Sequence, residues 1–251
     1  MLLLHTIKES ICSIISGIKT YIMQNKIAIL FGATGLTGNH VLNKLVKDNR
    51  YDKIKVFTRS EPEIRSDKIE IIKTPLEKLD KHADQIAGHD IFCCLGTTIK
   101  KAGSREKFRM VDYQFPVTIA EIASKNKIPA YLLISSIGAD PGSSNFYLRT
   151  KGEVEKAIQQ FKFERIIILR PSMLLGKRDE FRFMEEAGKL IMSPLRFVLK
   201  GKFKKYRAIH AKTVAKAMVN LANTHFVKSI FESDEIEVYS KEIPEQNRSQ
   251  N

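Results

Sequence analysis

The sequence predicts an α/β protein built on one doubly wound parallel sheet, and three observations carry that expectation. From Lys26 onward short apolar runs alternate with longer helical patterns, as βαβ units require. The first run leads directly into a glycine-rich turn that opens a helix pattern. At 251 residues the chain is long enough for one such domain to bury a full core.

Taken in order, residues 1–23 read as an amphipathic helix, because Ile7, Ile11, Ile14, Ile15, Ile18 and Ile22 share one face. Its opening MLLLH carries too little charge for a secretory signal, and a helix packed on the domain is expected ahead of a weak membrane-surface helix or a badly chosen start codon. Residues 24–241 form the single domain. Its strand runs are Ile27–Phe31, Ile54–Phe57, Ile69–Ile72, Ile91–Leu95, Tyr131–Ile134 and Arg165–Leu169. Helical patterns at 36–48, 76–87, 104–126 and 146–161 are long enough for right-handed crossovers. Beyond Pro171 the pattern becomes irregular, and residues 172–207 read as a substrate-covering region. A helix at His210–Asn223, a strand-like Ile236–Tyr239 and a polar tail at 242–251 follow.

With 43% hydrophobic and 28% charged residues, the composition excludes a disordered chain. The net charge of +14 fits an anionic cofactor, a nucleic acid or a membrane surface, and a solvated basic face is the plainest explanation. Basic residues concentrate at Lys100–Arg109 and Arg196–Arg207. Cys12, Cys93 and Cys94 form neither a disulfide framework nor a zinc pattern, so no metal is expected. Two of them fall inside the apolar run IFCCL, as buried strand cysteines of a reducing, cytoplasmic compartment. No stretch can span a bilayer, which leaves peripheral membrane contact open.

In a doubly wound sheet, ligands sit at the carboxyl ends of the strands. After the first run comes GATGLTG, where Gly32, Thr34, Gly35, Leu36 and Thr37 should cradle a pyrophosphate with backbone amides and the field of a helix start. The second run ends in Arg59 and Ser60. A guanidinium there accommodates a 2′-phosphate, which favours NADP(H) over NAD(H), with nearby Glu61 as the dissenting residue.

Tyr147 and Lys151 open the helix pattern after the fifth run, four residues apart and so on one face. A neighbouring ammonium favours tyrosinate and would make Tyr147 a usable proton donor to a carbonyl near neutral pH. Ser135 and Ser136 follow the fifth run, where a hydroxyl could polarise the same carbonyl oxygen, with Ser136 preferred. A second copy of the spacing, Tyr51 and Lys55, runs into a strand, where side chains point differently.

Together FGATGLTG, GHDIFCCLGTTIKKAGS, LLISSIGADPGSSNFYLRTKGEVE and LRPSMLLGKR resemble the atypical short-chain dehydrogenases/reductases, the Tat-interacting oxidoreductase-like family within the NAD(P)-binding Rossmann superfamily. The resemblance covers nearly the whole chain and, through MQNK, implies that the N-terminal helix belongs to it. It implies Tyr147 as proton donor or acceptor and Lys151 as its partner, which also binds the cofactor. It further implies Thr34–Thr37, Arg59 and Ser60 on the adenosine side, with Leu95, Gly96, Leu174 and Arg182 completing the cofactor site. Many members of the superfamily carry an asparagine-rich turn after the fourth strand, where this chain has LGTT, and an active-site asparagine where it has Asp112.

The expected function is oxidoreduction, with hydride passing from NADPH to a small, unidentified carbonyl substrate. The alternative is an NADPH-sensing interaction protein with a protein partner and little turnover, as the resemblance to the animal proteins suggests. A nucleic-acid or anionic-membrane binder using Arg196–Arg207 ranks third, and nucleic acid is disfavoured.

Overall fold

The computed structural model describes residues 25–176, 201–224 and 228–241. The expected N-terminal helix, residues 177–200 with Arg182, and the tail at 242–251 lie outside them. In chain order the strands are β1 (Lys26–Phe31), β2 (Tyr51–Thr58), β3 (Ile69–Lys73), β4 (Asp90–Cys93), β5 (Ala130–Ile134), β6 (Arg165–Arg170), β7 (Leu174–Leu175), β8 (Ile209–His210) and β9 (Ile230–Glu232). The helices are α1 (Leu36–Val46), α2 (Ile99–Ala102), α3 (Arg105–Arg109), α4 (Phe115–Lys125), α5 (Phe146–Ile158), α6 (Ala211–Leu221) and α7 (Ser233–Tyr239).

Seven strands form one parallel sheet in the order β3-β2-β1-β4-β5-β6-β9, while β7 and β8 make a separate two-stranded ladder. From β1 the chain builds outward through β2 and β3, then returns to β4 on the other flank of β1. The crevice of a doubly wound sheet lies at that reversal, past the carboxyl ends of β1 and β4.

Both sheet faces are covered, which is why the central strands read as unbroken apolar runs. On one face Val41, Leu42 and Leu45 of α1 and Val214 and Met218 of α6 join Leu30, Val56, Phe92 and Leu132 in one core. On the other, Ile119 and Ala123 of α4 and Val154 and Ile158 of α5 join Ile29, Phe31, Ile91 and Leu133. Each large side chain buried this way contributes roughly 1.5–3 kcal/mol.

Three expected elements differ. The pattern at 76–87 is a 3-10 segment, Leu76–Gln85, interrupted by non-helical Lys78 and His82. Its single buried side chain, Leu79, is too little apolar face to hold a full helix on the sheet. The pattern at 104–126 is broken into α3, a π turn at Met110–Gln114 and α4. Pro116 explains the break, because its ring would meet the carbonyl of Asp112 in a straight α-helix and a wider turn avoids that clash. Lastly, Ile236–Tyr239 is not a strand but lies in α7, nucleated by a capping box between Glu232 and Glu235. The strand in this region is β9, paired with β6.

At the amino ends of the strands, opposite the crevice, Asp90 is fully buried and binds Lys26 and Arg165. It also accepts from the Tyr51 hydroxyl at 2.8 Å, and Asn223 donates to that hydroxyl at 3.0 Å. The second Tyr/Lys spacing is therefore part of β2 and this network, with Lys55 donating to the Gln85 carbonyl at 2.9 Å. No helix among the described residues is long and apolar enough to cross a membrane.

Candidate active site

The turn between β1 and α1 is shaped by two glycines. Gly32 has φ +82°, and a Cβ there would lie 2.6 Å from the carbonyl oxygen of Cys94 at the end of β4. At Gly38 a Cβ would lie 2.0 Å from the carbonyl oxygen of Gly32, so the helix start and the turn touch backbone to backbone. Gly35 is the N-cap of α1 and offers no side chain to its amides, and the first helical turn contains no acid. Among the described residues no capping side chain neutralises the positive end of α1, and such an end favours an anion. Thr34 and Leu36 are half-buried beside this turn, and Thr37 is buried.

Arg59 and Ser60 follow β2 and are exposed. Thr58 shapes their turn by donating from its hydroxyl to the Ser60 carbonyl at 2.6 Å. Glu61 is turned to other cations, pairing with Lys73 at 2.6 Å and Arg65 at 3.4 Å. Its carboxyl is held below the usual value chiefly by the hydrogen bond from Lys73.

Around the crevice end of α5 the structure gathers a buried polar cluster. Tyr147 is 4% exposed, and its ring lies 5.7 Å from Phe108 of α3, centroid to centroid. One helical turn on, the Lys151 ammonium lies 2.7 Å from Asp112 Oδ1, with both side chains at most 5% exposed. Asp112 Oδ2 accepts from the backbone N–H of Thr97 at 2.8 Å. Burial alone would lower the Lys151 pKa, but the charges of Asp112 and Tyr147 and the Asp112 hydrogen bond outweigh it, and the net shift is upward. Gly96 adjoins the pair: a Cβ there would sit 3.6 Å from Asp112 Oδ1 and 4.0 Å from Lys151 Nζ. Leu95 and Gly96 thus pass beside the Tyr147–Lys151 helix at the sheet reversal.

The two serines part company. Ser135 is buried and its hydroxyl donates to Glu155, a carboxylate that Arg170 also grips with Nη2 at 2.5 Å and Nε at 3.0 Å. Ser136 is half-buried, and its hydroxyl makes a long 3.3 Å bond to the Ile137 carbonyl. Leu174 lies in β7, paired with Ile209 and half-buried. The links of Asp112 to Lys151 and Thr97, and of Glu155 to Ser135, are absent from the sequence reading. Pro116, four residues after Asp112, is the signal that could have exposed the first.

Uncapped helix amides at the reversal of a parallel sheet define a dinucleotide-binding protein of the Rossmann class. The chain belongs to the NAD(P)H-binding family, whose pattern matches residues 32–225. It is 38% identical over 164 residues to Protein HTATIP2 of Rattus norvegicus, an alignment covering 64% of this chain and 67% of that protein. It is 31% identical over 201 residues to Protein FMP52, mitochondrial, of Debaryomyces hansenii, covering 78% of this chain and 87% of the relative. Among solved structures it is similar in fold to MoeE5 in complex with UDP-glucose and NAD, with TM-score 0.61 and 16% identity over 83% of this chain and 79% of that one. Vestitone reductase from alfalfa aligns with TM-score 0.56 and 16% identity, covering 82% of this chain and 76% of the enzyme.

Proposed function

We propose that the protein is an NADP(H)-dependent oxidoreductase of the short-chain dehydrogenase/reductase type that reduces a small carbonyl compound. The observation that carries this reading is that Tyr147 and Lys151 are both buried one helical turn apart, with Lys151 beside Gly96, at the crevice where no described side chain caps α1. Gly32, Thr34, Gly35, Leu36 and Thr37 would hold the diphosphate, and Arg59 with Ser60 the 2′-phosphate. Leu95, Gly96, Leu174 and, beyond the described residues, Arg182 would line the nicotinamide side. The bound nucleotide would supply the hydride. Tyr147 gives its phenolic proton to the carbonyl oxygen, and Lys151 holds the phenol and the nicotinamide ribose. Ser136 is the better placed hydroxyl to bind that oxygen, since the Ser135 proton is committed to Glu155.

NADPH is preferred over NADH because Arg59 forms no ion pair among the described residues and Glu61 is occupied by Lys73 and Arg65. Calorimetric titration tests this. Arg59→Ala should weaken NADPH by about tenfold or more, the worth of a charge-assisted hydrogen bond, and leave NADH nearly unchanged. Equal loss for both nucleotides, or no affinity for either in the unaltered protein, overturns the assignment. For the chemistry, a panel of aldehydes and ketones should yield NADPH oxidation that Tyr147→Phe abolishes. Activity that survives this substitution rejects Tyr147 as the donor.

A further inference from the structure

We propose that Asp112 is a positioning residue that sets the charge of the reacting pair: its carboxylate neutralises the Lys151 ammonium, so that Tyr147 rests as a phenol, the form that donates to a carbonyl. The inference rests on the reading of Tyr147 and Lys151 as the reacting pair, and it adds a residue that the spacing of four does not contain.

The geometry is specific. The carboxylate is 1% exposed and both oxygens are engaged, Oδ1 by Lys151 at 2.7 Å and Oδ2 by the Thr97 amide at 2.8 Å. The π turn before Pro116 carries it to this place, so the bridge joins three elements: the turn, α5 and the loop after β4. Among the described residues, the titratable groups that act on Lys151 are Asp112 from the turn, Tyr147 from its own helix and Cys93 from β4. Burial pushes the Cys93 thiol up, so it stays neutral. Among the described residues the cluster therefore holds one ammonium and one carboxylate. Ionising Tyr147 as well would leave a net negative charge away from water, where such charge is costly. An asparagine at this position would leave the ammonium unbalanced, and tyrosinate would then be its natural counter-ion. The same bridge also fixes Gly96 and Thr97 relative to Lys151, which aligns the loop with the helix.

The test follows tyrosine ionisation directly and needs no substrate. In protein labelled with 13Cζ-tyrosine, the Tyr147 resonance is assigned by its loss in Tyr147→Phe and followed against pH. Asp112→Asn, which keeps the shape and can still accept from Thr97, should lower the Tyr147 midpoint by about one pH unit or more. An unchanged or higher midpoint in folded Asp112→Asn protein overturns the proposal. Lys151→Met gives the opposite test if that variant does not fold: the midpoint should rise, because an unpaired carboxylate is left beside the phenol, and a fixed or falling midpoint overturns the proposal. Once a substrate is found, the alkaline fall in reductive kcat should move to lower pH in Asp112→Asn. Absence of turnover on the carbonyl panel would defeat the reductase reading and leave the titration result standing.

Discussion

Ser135 and Ser136 are adjacent, yet their hydroxyls have different partners. The Ser135 hydroxyl points to a carboxylate already gripped by Arg170, so Ser135→Ala removes a hydrogen bond to a charged, buried group. It should cost about 1.5–3 kcal/mol of stability, read by urea denaturation, and leave nucleotide affinity intact. Ser136→Ala should do the reverse, lowering kcat by roughly 10²–10³ with an unchanged melting temperature, if its hydroxyl binds the reacting oxygen. An equal effect of both on stability alone would remove Ser136 from the chemistry. The sequence shows two hydroxyls at the end of a strand, and only the position of Glu155, twenty residues on, separates them.

At the scale of the element, the proposed diphosphate grip of α1 depends on how closely its first turn approaches the loop before it. Gly38→Ala would put a methyl group 2.0 Å from the carbonyl oxygen of Gly32, and the helix would have to move away. NADPH fluorescence titration should show binding weakened by about 100-fold or lost, while circular dichroism still reports a folded sheet. The π turn is the other element that tertiary packing turns to use. A proline inside a helical pattern signals a break, but the sequence does not say that the widened turn faces Lys151 and carries Asp112 to it. The strand-like Ile236–Tyr239 misleads for a related reason: β-branched residues suggest extended chain, and the capping box from Glu232 to Glu235 overrides that local preference.

For the molecule as a whole, the two ends of the sheet divide the labour. The carboxyl ends carry the open amides and the Tyr147 cluster, and the amino ends are closed by Asp90 with Lys26, Arg165 and Tyr51. Asp90→Ala would leave two cations without their common carboxylate, and a loss of about 3–5 kcal/mol in unfolding free energy is expected by chemical denaturation. Acid stability has a separate marker in Asp48, which accepts from the Arg50 side chain at 2.6 and 2.8 Å. Burial raises its pKa, but the hydrogen bonds and charge of Arg50 outweigh that and hold it below the ordinary 3.8. A depressed folded-state pKa stabilises above the unfolded value and loses that stabilisation as pH falls through the folded one. Asp48→Asn should therefore flatten the decline in melting temperature below about pH 3.8, while leaving its behaviour at alkaline pH unchanged.

From the residues alone came the parallel sheet, the glycine turn, the position of Arg59 after the second strand and the placing of Tyr147 and Lys151 one turn apart on a helix, because each depends on near neighbours in the chain. Apolar runs, tight turns and a spacing of four on a helix are local, and local geometry is written in local sequence. Folding in three dimensions decided which hydroxyl is committed, where the charge of Lys151 is balanced and which end of the sheet is sealed. Those outcomes join groups 15 to 75 residues apart, such as Thr97 with Asp112 and Asp90 with Arg165, and only packing sets such distances.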